Sequence, residues 1–298
     1  MNPWLILFFA LLAISTSGPL VRASFADPLA IAVYRLGFSL IVVALALAVT
    51  GTWRELRRIR PGELLIALGA GAMLALHFWS WNASVHLTTV AASVVLVNMH
   101  PPFVALLSTF WLREKPRPMQ WAGIAIAMLG AAIVAASDAG SFTTGGSSRA
   151  LFGDGLALIG AVTVELYFEA GRRLRGAYSV WPYVAVVYGA AFVVLVAIAS
   201  ARSVPLGGYP RRELLIFAAL AAGPMLIGHT GMNYALRYLP AYIVNLTVLG
   251  EPVGATIIAF LVPSIHEAPS MGTVVGGIVT LGGIGTAAIR GRESRGGR

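Results

Sequence analysis

The sequence predicts an all-α integral membrane fold: ten transmembrane helices arranged as two inverted five-helix repeats. Three observations carry this. Of 298 residues, 58% are hydrophobic and 11% charged, with a mean hydropathy of +0.81, far from the soluble balance of roughly a quarter charged. Ten apolar stretches, each near the roughly 20 residues that cross about 30 Å of hydrocarbon, follow one another with short connections and leave no room for a soluble domain. The residue pattern of the first five stretches also recurs in the last five. A unit that crosses a bilayer five times ends on the side opposite to its start, so its copy inserts upside down.

The first span, 3–21, lacks the basic leader of a secretory signal and reads as a retained helix. Its Ser15, Thr16, Ser17, Gly18 and Pro19 bend it or let it pack closely, with hydroxyls bonded to their own carbonyls, ahead of any ligand contact. The second span, 29–50, contains Arg35, read as an anchor on carbonyls or a carboxylate ahead of a substrate contact. The third, 63–83, holds His77, Phe78, Trp79, Trp81 and Asn82. Positions 77 and 81, and 78, 81 and 82, share a side of a helix while Trp79 points elsewhere, so these groups form either a cavity wall or an interfacial aromatic belt. The fourth, 89–112, places Asn98, Met99 and His100 before Pro101 and Pro102, whose missing backbone donors bend the helix in mid-membrane. The fifth, 118–137, is spaced with glycine, and the Gly-, Ser- and Thr-rich stretch 138–151 joins the halves.

The sixth span, 152–171, carries Glu165 at depth, a candidate proton or charge site, and Glu169 beside Arg172 and Arg173, an interfacial ion pair. The seventh covers 180–200. The eighth, 213–235, sets His229, Met232 and Asn233 on one face. In the ninth, 240–262, Tyr242 and Asn245 share a face with Leu249, and Glu251 stands before Pro252 as His100 stands before Pro101. The tenth, 270–289, is again spaced with glycine. Kinked helices that expose backbone carbonyls near the midplane are where transporters bind ligands, so Asn98, His100, Asn245 and Glu251 are candidates; helix packing alone is the other account of the prolines.

The duplication is visible in register. Placing residue 82 on 233 pairs Asn82 with Asn233, Val97 with Val248 and Pro101 with Pro252; two extra residues near Pro263 then pair Glu114 with Glu267, Pro116 with Pro269, Gly123 with Gly276 and Gly130 with Gly283. The halves are accordingly 1–137 and 152–298. The formal charge of +9 would suggest nucleic acid in a soluble chain; in a membrane chain it bears on orientation. With the N-terminus inside, fifteen Lys and Arg residues fall in inside loops and tails and five in outside loops, which predicts both termini cytoplasmic.

Two five-helix repeats, each closed by a Glu-x-Pro connection (Glu114 to Pro116, Glu267 to Pro269) and a glycine-spaced helix, together with Arg35, resemble the EamA-type branch of the drug/metabolite transporter superfamily. Within it the run His77 to Asn82 and the run Asn98 to Pro102 look most like the YddG-type aromatic amino acid exporters. The second repeat departs from this pattern by carrying Gly189 where the first has Arg35. The resemblance implies export of amino acids or related amphiphilic metabolites across a bacterial-type inner membrane.

Enzyme motifs are absent: there is no phosphate-binding loop, no H-E-x-x-H, no cysteine, and the histidines at 77, 86, 100, 229 and 266 are scattered, so neither a metal nor a cofactor is expected. The candidate substrate-binding residues are His77, Phe78, Trp81, Asn82, Asn98, Met99, His100, Tyr242 and Asn245, with Glu165 and Glu251 as possible proton or charge sites. Aromatic rings would receive an apolar side chain, and amides, hydroxyls and exposed backbone would meet polar ends. An exporter of lipophilic cations, with Glu165 or Glu251 as counter-charge, and a receptor or passive pore remain as alternatives.

Overall fold

The computed structural model describes residues 2–99, 118–140, 147–239, 244, 247–248 and 250–288. Among these, every regular element is a helix. In chain order they are α1 (Pro3–Ser15), α2 (Ser17–Ala23), α3 (Pro28–Thr50), a 3-10 segment (Thr52–Arg58), α4 (Pro61–Leu87), α5 (Val90–Val97), α6 (Pro118–Gly140), α7 (Ser147–Leu174), α8 (Val180–Ala201), α9 (Arg211–Leu220), a π segment (Ala221–His229), α10 (Thr230–Ala235), α11 (Glu251–Leu261) and α12 (Met271–Ala288). Six stretches are long and apolar enough to cross a membrane: Pro3–Ala23, Pro28–Thr50, Pro61–Leu87, Ser148–Leu174, Val180–Ala201 and Arg211–Ala235. Shorter apolar helices occupy Trp121–Val134, Glu251–Leu261 and Met271–Thr286.

Local chemistry sets the helix ends. Asn2 and Asp27 accept from Trp4 N (2.9 Å) and Leu29 N (2.8 Å), each ahead of a proline at the first helical position. Gly51 ends α3 with φ +68°, a conformation that costs glycine little. Between α1 and α2 the Ser15 hydroxyl donates to Leu11 O (2.9 Å) and that of Thr16 to Ala13 O (2.7 Å), so both bond their own helix. Pro224 lies inside the Ala221–His229 segment, where the missing N–H favours the wider π turn and shifts the phase of the side chains that follow.

The distribution of polarity is that of a protein solvated by lipid. Trp4, Phe8, Ile41, Leu45, Leu65, Val193, Leu215, Val253 and Ile278 are exposed, whereas Arg35, His77, Asn82, Asn98, Asn233 and Glu251 are buried. Helix α4 lies against α7 and α8, α3 packs on α8, and α1 runs along the π segment. Helices α6 and α12 touch along their length through small residues: a Cβ on Gly130 would collide with Thr280 N, one on Gly283 with Ala127 N, and one on Gly276 would sit 2.8 Å from Gly130 O.

Polar networks tie both ends of the bundle. At one end Arg22 Nε meets Glu267 Oε2 at 3.1 Å, Glu267 also accepts from Val90 N, Ser24 donates to Glu213, and Arg212 meets Glu213 at 2.9 Å. At the other, Glu55 accepts from Ser179 N (2.8 Å) and Ser179 Oγ (2.6 Å), Tyr178 donates to Glu63, and Arg175 Nε donates to Asn233 O (2.9 Å). Burial, followed by repulsion from Arg237, pushes the Arg175 guanidinium down to about 10, which still leaves it charged at neutral pH. Glu169 and Arg172 form an exposed ion pair, as their spacing predicts.

Candidate functional site

Between these ends lies a partly open cavity of about 50 Å³, room for a few water molecules and narrower than a typical ligand site. Seven parts of the chain supply its polar and aromatic wall: Ser17 from α2, Arg35 from α3, His77 and Trp81 from α4, Asn98 after α5, Phe168 from α7, His229 from the π segment and Glu251 from α11. Ile14, Val97, Val164, Met232 and Val248 complete it with apolar surface.

The aromatic part is organised around His229. Its ring stacks on Phe168 (6.0 Å between centroids, 7° between planes) and meets Phe78 edge-on at 5.4 Å. His77 and Trp81, one turn apart on α4, lie parallel (6.2 Å, 2°), and His77 Nδ1 bonds Gly160 O at 2.9 Å.

The charged part sets two poles. The Arg35 side chain is 1% exposed; its guanidinium lies 4.2 Å over the Phe78 ring and donates to Ser17 Oγ at 3.3 Å. Asn98 Nδ2 donates to Val94 O (2.9 Å) and to Glu251 Oε2 (3.3 Å), so the Val94 carbonyl fixes which way the amide points. A cation and a carboxyl thus share one cavity.

Several polar atoms on this wall are buried without a partner among the described residues: Arg35 Nε, Trp81 Nε1, Asn98 Oδ1 and His229 Nδ1. A buried polar group left unpaired costs about 1–3 kcal/mol, and a native fold keeps such groups where something else satisfies them. Two of these atoms are obligate donors, one is an acceptor, and the imidazole nitrogen serves either way. The wall therefore presents donors, an acceptor and apolar surface side by side.

The predicted residues divide accordingly. His77, Trp81, Asn98 and Glu251 line the cavity, and the burial of both rings places them on an inner wall instead of an interfacial belt. Phe78 stands behind the wall, supporting Arg35 and His229. Asn82 turns away and donates to Pro28 O at 3.2 Å, and Met99 packs into a separate apolar cluster with Ala127, Val134 and Ile284. Glu165 is buried but is not among the lining residues. His100, Tyr242 and Asn245 lie outside the described residues. Arg35, expected to be an anchor on a carbonyl or carboxylate, instead bonds a hydroxyl and faces the cavity. Phe168 stood in the sequence only as an aromatic between two glutamates; His229 and Met232, read as sharing a face, both line the cavity, while the π segment that ends on His229 has no signal except Pro224.

The profile of the EamA-like transporter family matches residues 2–136 and 151–288. The chain is 28% identical over 247 residues, 82% of its length and 80% of the relative's, to a probable terminal-alkyne amino-acid exporter of Streptantibioticus cattleyicolor. It is 27% identical over 199 residues, 66% of its length, to the uncharacterized transporter YdfC of Bacillus subtilis, of which the match spans 62%. A solved crystal structure with 21% sequence identity superposes with a TM-score of 0.67 over 96% of each chain, which shows a shared fold.

Proposed function

Because this chain belongs to the EamA-like transporter family, we propose that it exports amino acids of broad type, aromatic ones included, and related amphiphilic metabolites across a bacterial-type inner membrane. In this reading the chain crosses the bilayer ten times as two inverted five-helix repeats, 1–137 and 152–298, joined by 138–151, with both termini cytoplasmic. The substrate enters the central cavity as it widens, and the two halves rock about it to give alternating access.

The observation that carries the reading is the set of donors and acceptors left without partners among the described residues on an otherwise aromatic and aliphatic wall. It suits a ligand with an apolar side chain and a polar head. The probable terminal-alkyne amino-acid exporter among the relatives supports the same substrate class. Purified protein in proteoliposomes is expected to carry radiolabelled phenylalanine, threonine and methionine with saturable kinetics. Flux of all three no greater than in empty vesicles would defeat the proposal.

A second reading, export of lipophilic cations, is favoured by the carboxyl of Glu251 at the cavity. Arg35 on the same wall opposes it, because a guanidinium repels a cation in a poorly screened interior. Glu251→Gln and Glu165→Gln separate the two: loss of cation export with intact amino acid flux supports the second.

A further inference from the structure

The cavity wall is polar at two places of opposite chemistry, and this permits a finer assignment that rests on the amino acid reading. We propose that the site recognises its substrate as a zwitterion, with Arg35 and the Trp81 indole N–H receiving the carboxylate and Glu251, together with Asn98 Oδ1, receiving the ammonium group.

The argument begins with Arg35. Phe78 under the guanidinium plane and Ser17 at Nη1 fix its orientation, and the Nε edge is left without a partner among the described residues although Arg35 is 1% exposed. The Nε edge of a guanidinium is one of the forks that bind a carboxylate through two parallel N–H donors. Trp81 Nε1, a donor with no acceptor function, lies on the same wall with no partner among the described residues. A ligand that satisfies both must present acceptors.

The other pole asks for the opposite. Glu251 is held at Oε2 by Asn98 Nδ2 at 3.3 Å, and Asn98 Oδ1, on a residue 1% exposed, is an acceptor with no partner among the described residues. An ammonium group, with three donors and no acceptor, is the complement of a carboxylate oxygen beside an amide oxygen. A zwitterion places equal and opposite charge in the cavity and brings a partner to each pole. An amine without a carboxylate, or an acid without an amine, leaves one pole buried and unmatched, the situation in which polar sites reject analogues most strongly.

The test uses labelled phenylalanine counterflow in proteoliposomes, with phenylalanine, phenethylamine and 3-phenylpropionate as competitors. Unlabelled phenylalanine is expected to compete, while each one-pole analogue competes about 100-fold more weakly or worse. Arg35→Gln is expected to cut phenylalanine flux and lower its discrimination against phenethylamine. Glu251→Gln is expected to cut flux and lower discrimination against 3-phenylpropionate. Opposite changes in preference are a result that general structural damage does not produce. Counterflow in which both analogues compete as well as phenylalanine would overturn the zwitterion assignment and leave amino acid transport standing; absence of phenylalanine flux would remove both. Should either variant fail to fold, the analogue series on the unaltered protein still decides the matter.

Discussion

His77, Phe78, Trp81 and Asn82 sit within two turns of one helix and serve three purposes. His77 and Trp81 face the cavity, Phe78 supports the Arg35 guanidinium, and Asn82 bonds the first residue of α3. The cluster itself was legible because polar and aromatic groups inside an apolar span stand out. Its division was not, since neighbours on a helix differ by about 100° and the direction of the cavity depends on α7 and the π segment. The consequence is testable at single residues. Asn82→Ala is expected to lower stability by about 1 kcal/mol, seen as a lower melting temperature in detergent, with flux per folded molecule unchanged. Trp81→Phe keeps a ring beside His77 and removes an unpaired donor, so flux is expected to fall while the melting temperature holds. The reverse pattern would exchange the roles assigned to these residues.

At the scale of elements, the glycines of α6 and α12 were readable as a small-residue spacing in each half, and Gly130, Gly276 and Gly283 lie where the two helices touch. Sequence supplied the spacing but not the partner, because a small-residue stripe on its own does not say which helix approaches it. The neighbours Gly282 and Gly283 give a direct comparison: a Cβ on Gly282 meets open space, whereas one on Gly283 runs into the backbone of α6. Gly283→Leu is expected to cost about 1–3 kcal/mol or more in thermal unfolding, and Gly282→Leu close to nothing. Equal effects would contradict the close approach. The π segment is the opposite case. It ends on His229, whose ring stacks on Phe168, and Pro224 is its only trace in the sequence.

At the scale of the whole molecule, large apolar side chains are exposed among the described residues while Arg35, Asn98 and Glu251 are buried, and a cavity with a guanidinium and a carboxyl stands between polar networks at either end. The membrane class, the helical architecture and the family were legible in composition, span length and repeated motifs. The composition of the cavity was legible only in part, because Ser17, Arg35, Phe168 and His229 come together through packing between helices far apart in sequence. The central claim is that substrate passes through this cavity, and the absence of cysteine from the chain makes a direct measurement possible. Val164, on the apolar wall, is replaced by cysteine, and the protein in proteoliposomes is treated with a thiol reagent with and without phenylalanine while flux is followed. The account predicts that modification blocks phenylalanine flux and that phenylalanine slows the modification; modification that proceeds to completion with flux intact, at a rate indifferent to phenylalanine, would contradict it.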